Sequence, residues 1–175
     1  ADIAYFNGGA VRSYIEAGEI TYNDLLNVLP YGNTALVIEV NGATILRMLD
    51  AAVAKYPAES SNFPHVSGMT FYVNTIGEPG ERVYSVRIMN SATGKYEALE
   101  LEKTYKLASS SFILLEGGDG MDMFEGAKIV SDTGILDIEV LEKYITENLG
   151  GVISEDYANA GGRISYAEGF VNPYV

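Results

Sequence analysis

A domain of mixed helices and strands, α+β or α/β, is the fold class that the sequence predicts. Three observations predict it. Apolar residues recur at helical spacing in two stretches, about 43–55 and 137–149. Between them, from Val66 to Leu107, the pattern is that of strands broken by turns. No repeat or low-complexity linker interrupts the chain, and 175 residues suit a single domain, 1–175, with one sizeable core.

The elements follow in order. Ile3 to Phe6 is a short apolar run that ends at Asn7-Gly8-Gly9, a strand followed by a turn. Thr21, with Asp24 three residues on, is a helix N-terminus signal ahead of Leu25, Leu26 and Val28, and Pro30 ends that helix. Thr34 to Val40 is dense in Val, Leu and Ile and reads as a buried strand. Asn41-Gly42 turns the chain into a helix from about Ala43 to Lys55, with Ile45, Leu46, Leu49, Ala52 and Val53 on one face. Thr70 to Val73, Val83 to Met89 and Thr104 to Ala108 are strand candidates, with turns at Gly77 to Gly80 and Asn90 to Gly94. Ile129-Val130 suggests another short strand. Asp137 to Leu149 is an amphipathic helix closed by Gly150-Gly151, and Gly162 to Tyr166 a final strand.

Composition narrows the function. The net charge is −13, which opposes contact with a nucleic-acid backbone; a small anionic ligand would need a local basic spot. There is no Cys, so disulfides, thiol catalysis and zinc-thiolate sites are excluded. A single histidine, His65, rules out a His-rich metal cluster. No apolar run approaches the roughly 18–20 residues that span a bilayer. The strand at the very start has no lead-in, and the expectation is of a chain cut from a longer one.

Three segments carry candidate binding chemistry. Glycines after a strand, as at Gly8 and Gly9, let a backbone approach a ligand closely, and Arg12 could present its planar fork to a phosphate or carboxylate; a plain turn with a surface Arg fits equally. Tyr31 lies between Pro30 and Gly32 in a loop, where an exposed ring can stack on a base or fold back on the core. Asp119 in Gly117-Gly118-Asp119-Gly120 can accept from a sugar diol or bond its own backbone.

Taken together, the segments resemble one family. The chain reads FNGGAVRS from Phe6, NVLPYGNTALVIEV from Asn27, NFPHVSGMTFYV from Asn62 and YKLASSSFILLEGGDGM from Tyr105. The 5′-nucleotidases, which include UDP-sugar hydrolases and 2′,3′-cyclic-nucleotide phosphodiesterases, carry NGGGIR, VLPFGNT, FLQVSG and NF followed by GGDGY or GGDGF, in that order. The resemblance runs from Asp2 to about Tyr166.

It implies an α/β/β/α four-layer sandwich and a substrate-binding, C-terminal role. By position, Asn7, Gly9 and Arg12 match the turn that meets the reacting end of the substrate. Tyr31 matches an aromatic that stacks on the base, and Asn33 a residue that bonds its edge. Asp119 matches the acid on the ribose hydroxyls. Phe112 matches the second stacking ring if alignment runs from the preceding strand. Counted back from the glycines, Ile113 takes that place, because the chain is one residue longer there. Met121 replaces the last aromatic of that motif and His65 the usual Gln. The family's two divalent metals belong to an N-terminal metallophosphatase domain, so no catalytic residue, metal or other cofactor is expected in this chain. The partners implied are a nucleoside or nucleotide and that domain in cis; no nucleic acid or membrane is implied. The location implied is extracytoplasmic. A stand-alone nucleoside-binding module, or a relative that hydrolyses a non-nucleotide ester, are the competing readings.

The chain alone is expected to release no phosphate from AMP in the presence of Mn²⁺, Zn²⁺ or Co²⁺. Clean metal-dependent release, followed by a phosphate assay, would contradict this.

Overall fold

The structure, a computed structural model, describes residues 1–169. Nine strands form two sheets. They are β1 (Ile3–Asn7), β2 (Thr34–Asn41), β3 (Pro64–Ser67), β4 (Met69–Asn74), β5 (Val83–Asn90), β6 (Lys95–Ala98), β7 (Thr104–Ser110), β8 (Lys128–Leu136) and β9 (Ile164–Ala167). The helices are α1 (Tyr22–Val28), α2 (Gly42–Val53), the single turn α3 (Ser111–Leu114) and α4 (Asp137–Lys143).

The five-stranded sheet has the order β3-β1-β7-β2-β8, and the four-stranded sheet the order β6-β5-β4-β9. In the first sheet β1 runs parallel to β7, while β1–β3, β2–β7 and β2–β8 are antiparallel. Alternation decides which face of each strand is buried. Ile3, Tyr5, Leu36, Ile38 and Leu107 of the first sheet share one core with Met69, Phe71, Val73, Val83 and Val86 of the second. Ile45, Met48 and Leu49 of α2 join that core, and α2 touches β2, β3 and β5, strands of both sheets. The opposite face of the first sheet is covered by α1 and α4, and Leu25 of α1, Leu29 just after it and Ile138 of α4 pack with Phe6 of β1. Full burial of such a side chain contributes about 1.5–3 kcal/mol. The α+β class and the two sheets agree with the expectation from sequence.

The helix starts obey their signals. Thr21 N donates to Asp24 Oδ2 at 2.8 Å and Asp24 N to Thr21 Oγ1 at 3.4 Å, a reciprocal cap on α1. Asn41 Oδ1 accepts from Thr44 N at 2.9 Å at the head of α2. Gly42 must be glycine there, since a Cβ would lie 2.3 Å from the Glu100 carbonyl oxygen.

Edge strands are where sequence and structure part. β8 runs nine residues rather than two, and β6 was not expected at all. Both are largely exposed, so neither shows the apolar alternation on which a sequence reading depends. The last helix is α only as far as Lys143; a π-turn, Tyr144–Asn148, follows and Leu149 N donates to the Tyr144 carbonyl at 3.1 Å.

Asp50, 7 % exposed on α2, ties that helix to the start of β5. Its Oδ1 accepts from Arg82 N and Val83 N, each at 2.9 Å. Burial pushes its pKa up, and the two bonds oppose that. Asp50→Ala strands two donors and is expected to cost about 1–3 kcal/mol in urea unfolding. Asp50→Asn keeps an acceptor oxygen, removes a charge from a poorly solvated place, and is expected to cost less. Equal stability of the Ala variant and the native chain would show that the link to β5 is unimportant.

Candidate functional site

One end of the five-stranded sheet gathers the marked segments. β1 and β7 run parallel, so their C-terminal ends lie together. β2 is antiparallel to β7, with Ala35 opposite Ser110, which brings its N-terminal end to the same rim. β3 is antiparallel to β1, with Pro64 opposite Asn7, and so places the 60–63 loop there too. The turn after β1, the loop before β2, the loop before β3 and the turn after α3 therefore share one mouth.

The turn after β1 is fixed by backbone bonds. Gly8 N donates to the Phe63 carbonyl at 2.8 Å and Gly9 N to the Ser61 carbonyl at 2.6 Å. A Cβ on Gly9 would stand 2.8 Å from Ser61 Cβ. The close approach that Gly9 allows is thus to this loop. Asn7, at the last position of β1, is 3 % exposed. Its Nδ2 donates to Asp119 Oδ2 at 2.7 Å, across 112 residues of sequence. Its Oδ1, also buried, has no hydrogen-bond partner among the described residues.

Asp119 lies on the glycine-rich turn in a left-handed conformation, φ 56° and ψ 23°. An Asp tolerates this better than most side chains. Its Oδ1 accepts from Ser61 Oγ at 2.7 Å and its main-chain oxygen from Asn62 Nδ2 at 3.2 Å. The negative charge reaches Tyr5 as well. Burial, then the Asp119 charge, raises the pKa of that phenol, whose hydroxyl donates to the Asn62 carbonyl at 2.9 Å.

The aromatic positions separate cleanly. Ile113 is fully buried in the core, at 0 % exposure. Phe112 is half-buried, and a Cβ on Gly118 would fall 2.3 Å from its ring. The ring therefore packs against the turn that carries Asp119, while Ile113 enters the core. At the end of α3, Leu115 N and Glu116 N both donate to the Ser111 carbonyl, at 2.9 and 3.3 Å. Tyr31 is 59 % exposed at the tip of its loop. Thr34 N donates to Ser111 Oγ at 3.2 Å, which joins the root of the Tyr31 loop to the residue before Phe112.

Arg12 is exposed, with Nη1 3.3 Å from the Gly9 carbonyl. Its main-chain N donates to the Val28 carbonyl at 2.9 Å, tying its turn to the end of α1 and so to the Tyr31 loop. Asn33 faces α4. Its carbonyl accepts from Asp137 N at 2.8 Å. Burial raises the pKa of Asp137, while bonds from Ile138 N and Asn33 oppose the shift. His65, on β3 beside the Gly8 turn, has its pKa lowered by desolvation. Asn7, Gly9 and Asp119 therefore share one connected network, with Arg12 on the same turn. Tyr31 and Phe112 stand on neighbouring segments, and Asn33 sits between the Tyr31 loop and α4. Ser61, Asn62 and Asp137 escaped the sequence reading, because short polar residues in a loop or at a helix start carry no periodic signal.

The fold is shared with known phosphoesterase structures. A 5′-nucleotidase precursor from Thermus thermophilus superposes with a TM-score of 0.84 at 32 % identity, covering 94 % of this chain and 31 % of that one. Among curated proteins, Protein 5NUC of Lutzomyia longipalpis is 36 % identical over 160 residues, 87 % of this chain and 28 % of its own. The 5′-nucleotidase of Bos taurus is 32 % identical over 168 residues, 93 % of this chain and 28 % of its own. This chain belongs to the family of 5′-nucleotidase C-terminal domains, whose model matches residues 1–126. It spans less than a third of the length of these relatives.

The packing of Phe112 on Gly118 yields a test. Gly118→Ala drives a methyl into the ring and is expected to cost about 1–3 kcal/mol. In a Phe112→Ala background the same change is expected to cost much less, giving a coupling in a double-mutant cycle. Additive effects in urea unfolding would show that the ring does not lie on the turn.

Proposed function

We propose that this chain is the substrate-recognition domain of a 5′-nucleotidase-type phosphoesterase, one that holds a nucleoside and presents its phosphate to a two-metal site on a second domain in cis. The observation that carries the reading is the convergence at one rim of Asp119, Asn7, the Phe112 ring and the exposed Tyr31 loop. Each has chemistry to match. Tyr31 and Phe112 offer faces to a base. The Asp119 carboxylate is an acceptor for sugar hydroxyls. Asn33 offers amide groups to a base edge. Arg12, the exposed cation of the turn after β1, is the local basic spot that a phosphate needs on a chain of net charge −13.

The residues present do not fit the two metals themselves. The sequence has one histidine, and among the described residues no three His, Asp or Glu side chains are grouped to hold an ion. The chemistry at phosphorus is therefore assigned to the partner domain. This chain's own work is to bind the nucleoside, orient it and hold its phosphate end at the Asn7–Arg12 turn. A hydrolase of this kind acts on nucleotides outside the cytoplasm, which is the location proposed.

With half of the site supplied elsewhere, affinity for AMP is expected in the roughly high-micromolar to millimolar range. Tyr31→Ala and Phe112→Ala are each expected to weaken it by about 5- to 150-fold, the range for one lost stacking partner. NMR titration with AMP and adenosine measures this. Unchanged shifts and affinity in both variants would remove the base site from this rim.

A further inference from the structure

The 60–63 loop brings no charge to the mouth, yet it supplies two of the three side-chain bonds that hold Asp119. Asn62 is its hub. The two hydrogens of its Nδ2 go to the Asp119 carbonyl at 3.2 Å and to the Ala51 carbonyl of α2 at 3.4 Å. Its Oδ1 accepts from the Ser60 hydroxyl, and its main-chain oxygen from Tyr5 at 2.9 Å. The loop is thereby pinned to β1, to α2 and to the glycine-rich turn. Ser61 adds the bond to Asp119 Oδ1 at 2.7 Å.

Asp119 is consequently held at three atoms: Oδ2 by Asn7, Oδ1 by Ser61 and the main-chain oxygen by Asn62. An ionised carboxylate has about four acceptor positions, two on each oxygen. One protein donor on each oxygen leaves one position free on each. Two free positions, held in one plane, match two adjacent hydroxyls. Without its three bonds, an Asp on a turn flanked by Gly117, Gly118 and Gly120 would rotate, and the pairing with a diol would be lost.

We infer that Ser61 and Asn62 are positioning residues that hold Asp119 for recognition of a cis-diol, and that they set a preference for ribonucleosides over 2′-deoxyribonucleosides. The inference rests on the reading of Asp119 as the acid that binds the sugar.

The experiment is an NMR titration of the chain with adenosine and with 2′-deoxyadenosine. The native chain is expected to favour adenosine by about tenfold or more, the range for one bond to a charged group. Ser61→Ala and Asn62→Asp are expected to bring that ratio to within about threefold. Ser61→Thr keeps the hydroxyl and is expected to keep the preference. Tyr31→Ala is expected to weaken both ligands in equal proportion and leave the ratio alone. Ser61 is exposed, so its variants test the idea even if Asn62→Asp unfolds the loop. A native chain that binds both nucleosides equally overturns the reading of Asp119 and this inference with it. A native chain that discriminates, with Ser61→Ala and Asn62→Asp discriminating just as well, overturns the inference alone. Proportional weakening of both ligands in those two variants gives the loop a purely structural role and likewise overturns it.

Discussion

The hydrogen bond from Asn7 to Asp119, 2.7 Å long, joins the end of the first strand to a turn 112 residues later. A carboxylate at the mouth of a chain with 24 acids and 11 bases needs a partner to fix its direction. An Arg or Lys would fix it and also neutralise it. The neutral amide of Asn7 does the first without the second, and a bond to an ionised acceptor is stronger than a neutral one. Asp119 is thus oriented without a cation beside it. Arg12, on the same turn as Asn7, reaches the Gly9 carbonyl and leaves the carboxylate alone. Acceptor and cation are kept apart, Asp119 on the glycine-rich turn and Arg12 on the turn after β1.

Rigidity at this rim is uneven in a purposeful way. The turn after β1 is stitched to the 61–63 loop by two amide bonds, and Gly9 sits too close to Ser61 to admit any side chain. Tyr31 and Arg12, by contrast, are exposed side chains on well-anchored roots. The first loop is held where Thr34 meets Ser111, the second where Arg12 N meets the Val28 carbonyl. Groups that would meet a ligand keep rotamer freedom, while the main chain beneath them is tied down.

Much of this was legible in the sequence, for identifiable reasons. The capped start of α1, the core stripe of α2 and the buried strand β2 follow rules that act over a few residues, and they formed as those rules require. Asn7, Tyr31 and Asp119 stood out because glycine or proline beside them marks a turn, and Phe112 through the family resemblance. Three things were not legible. The edge strands β6 and β8 bury little, so composition does not mark them. That Ile113 enters the core while Phe112 stays half-buried depends on how α3 packs, which composition does not reveal. Ser61, Asn62 and Asp137 act through bonds to residues remote in sequence, and no local pattern announces such a bond.

The place of β1 between β3 and β7 bears on how the chain is made. β1 is synthesised before either neighbour, and its antiparallel partner β3 follows about sixty residues later. Its parallel neighbour, β7, arrives after Thr104. Until then one side of a strand rich in Ile, Ala, Tyr and Phe offers open N–H and C=O groups, the feature that invites pairing with the wrong chain. The second sheet pairs β4 with β5 and β5 with β6 through nearby turns, but the other edge of β4 likewise waits for β9, about ninety residues later. A nascent chain that lacks β7 therefore keeps that edge of β1 open, and the arrival of β7 covers it.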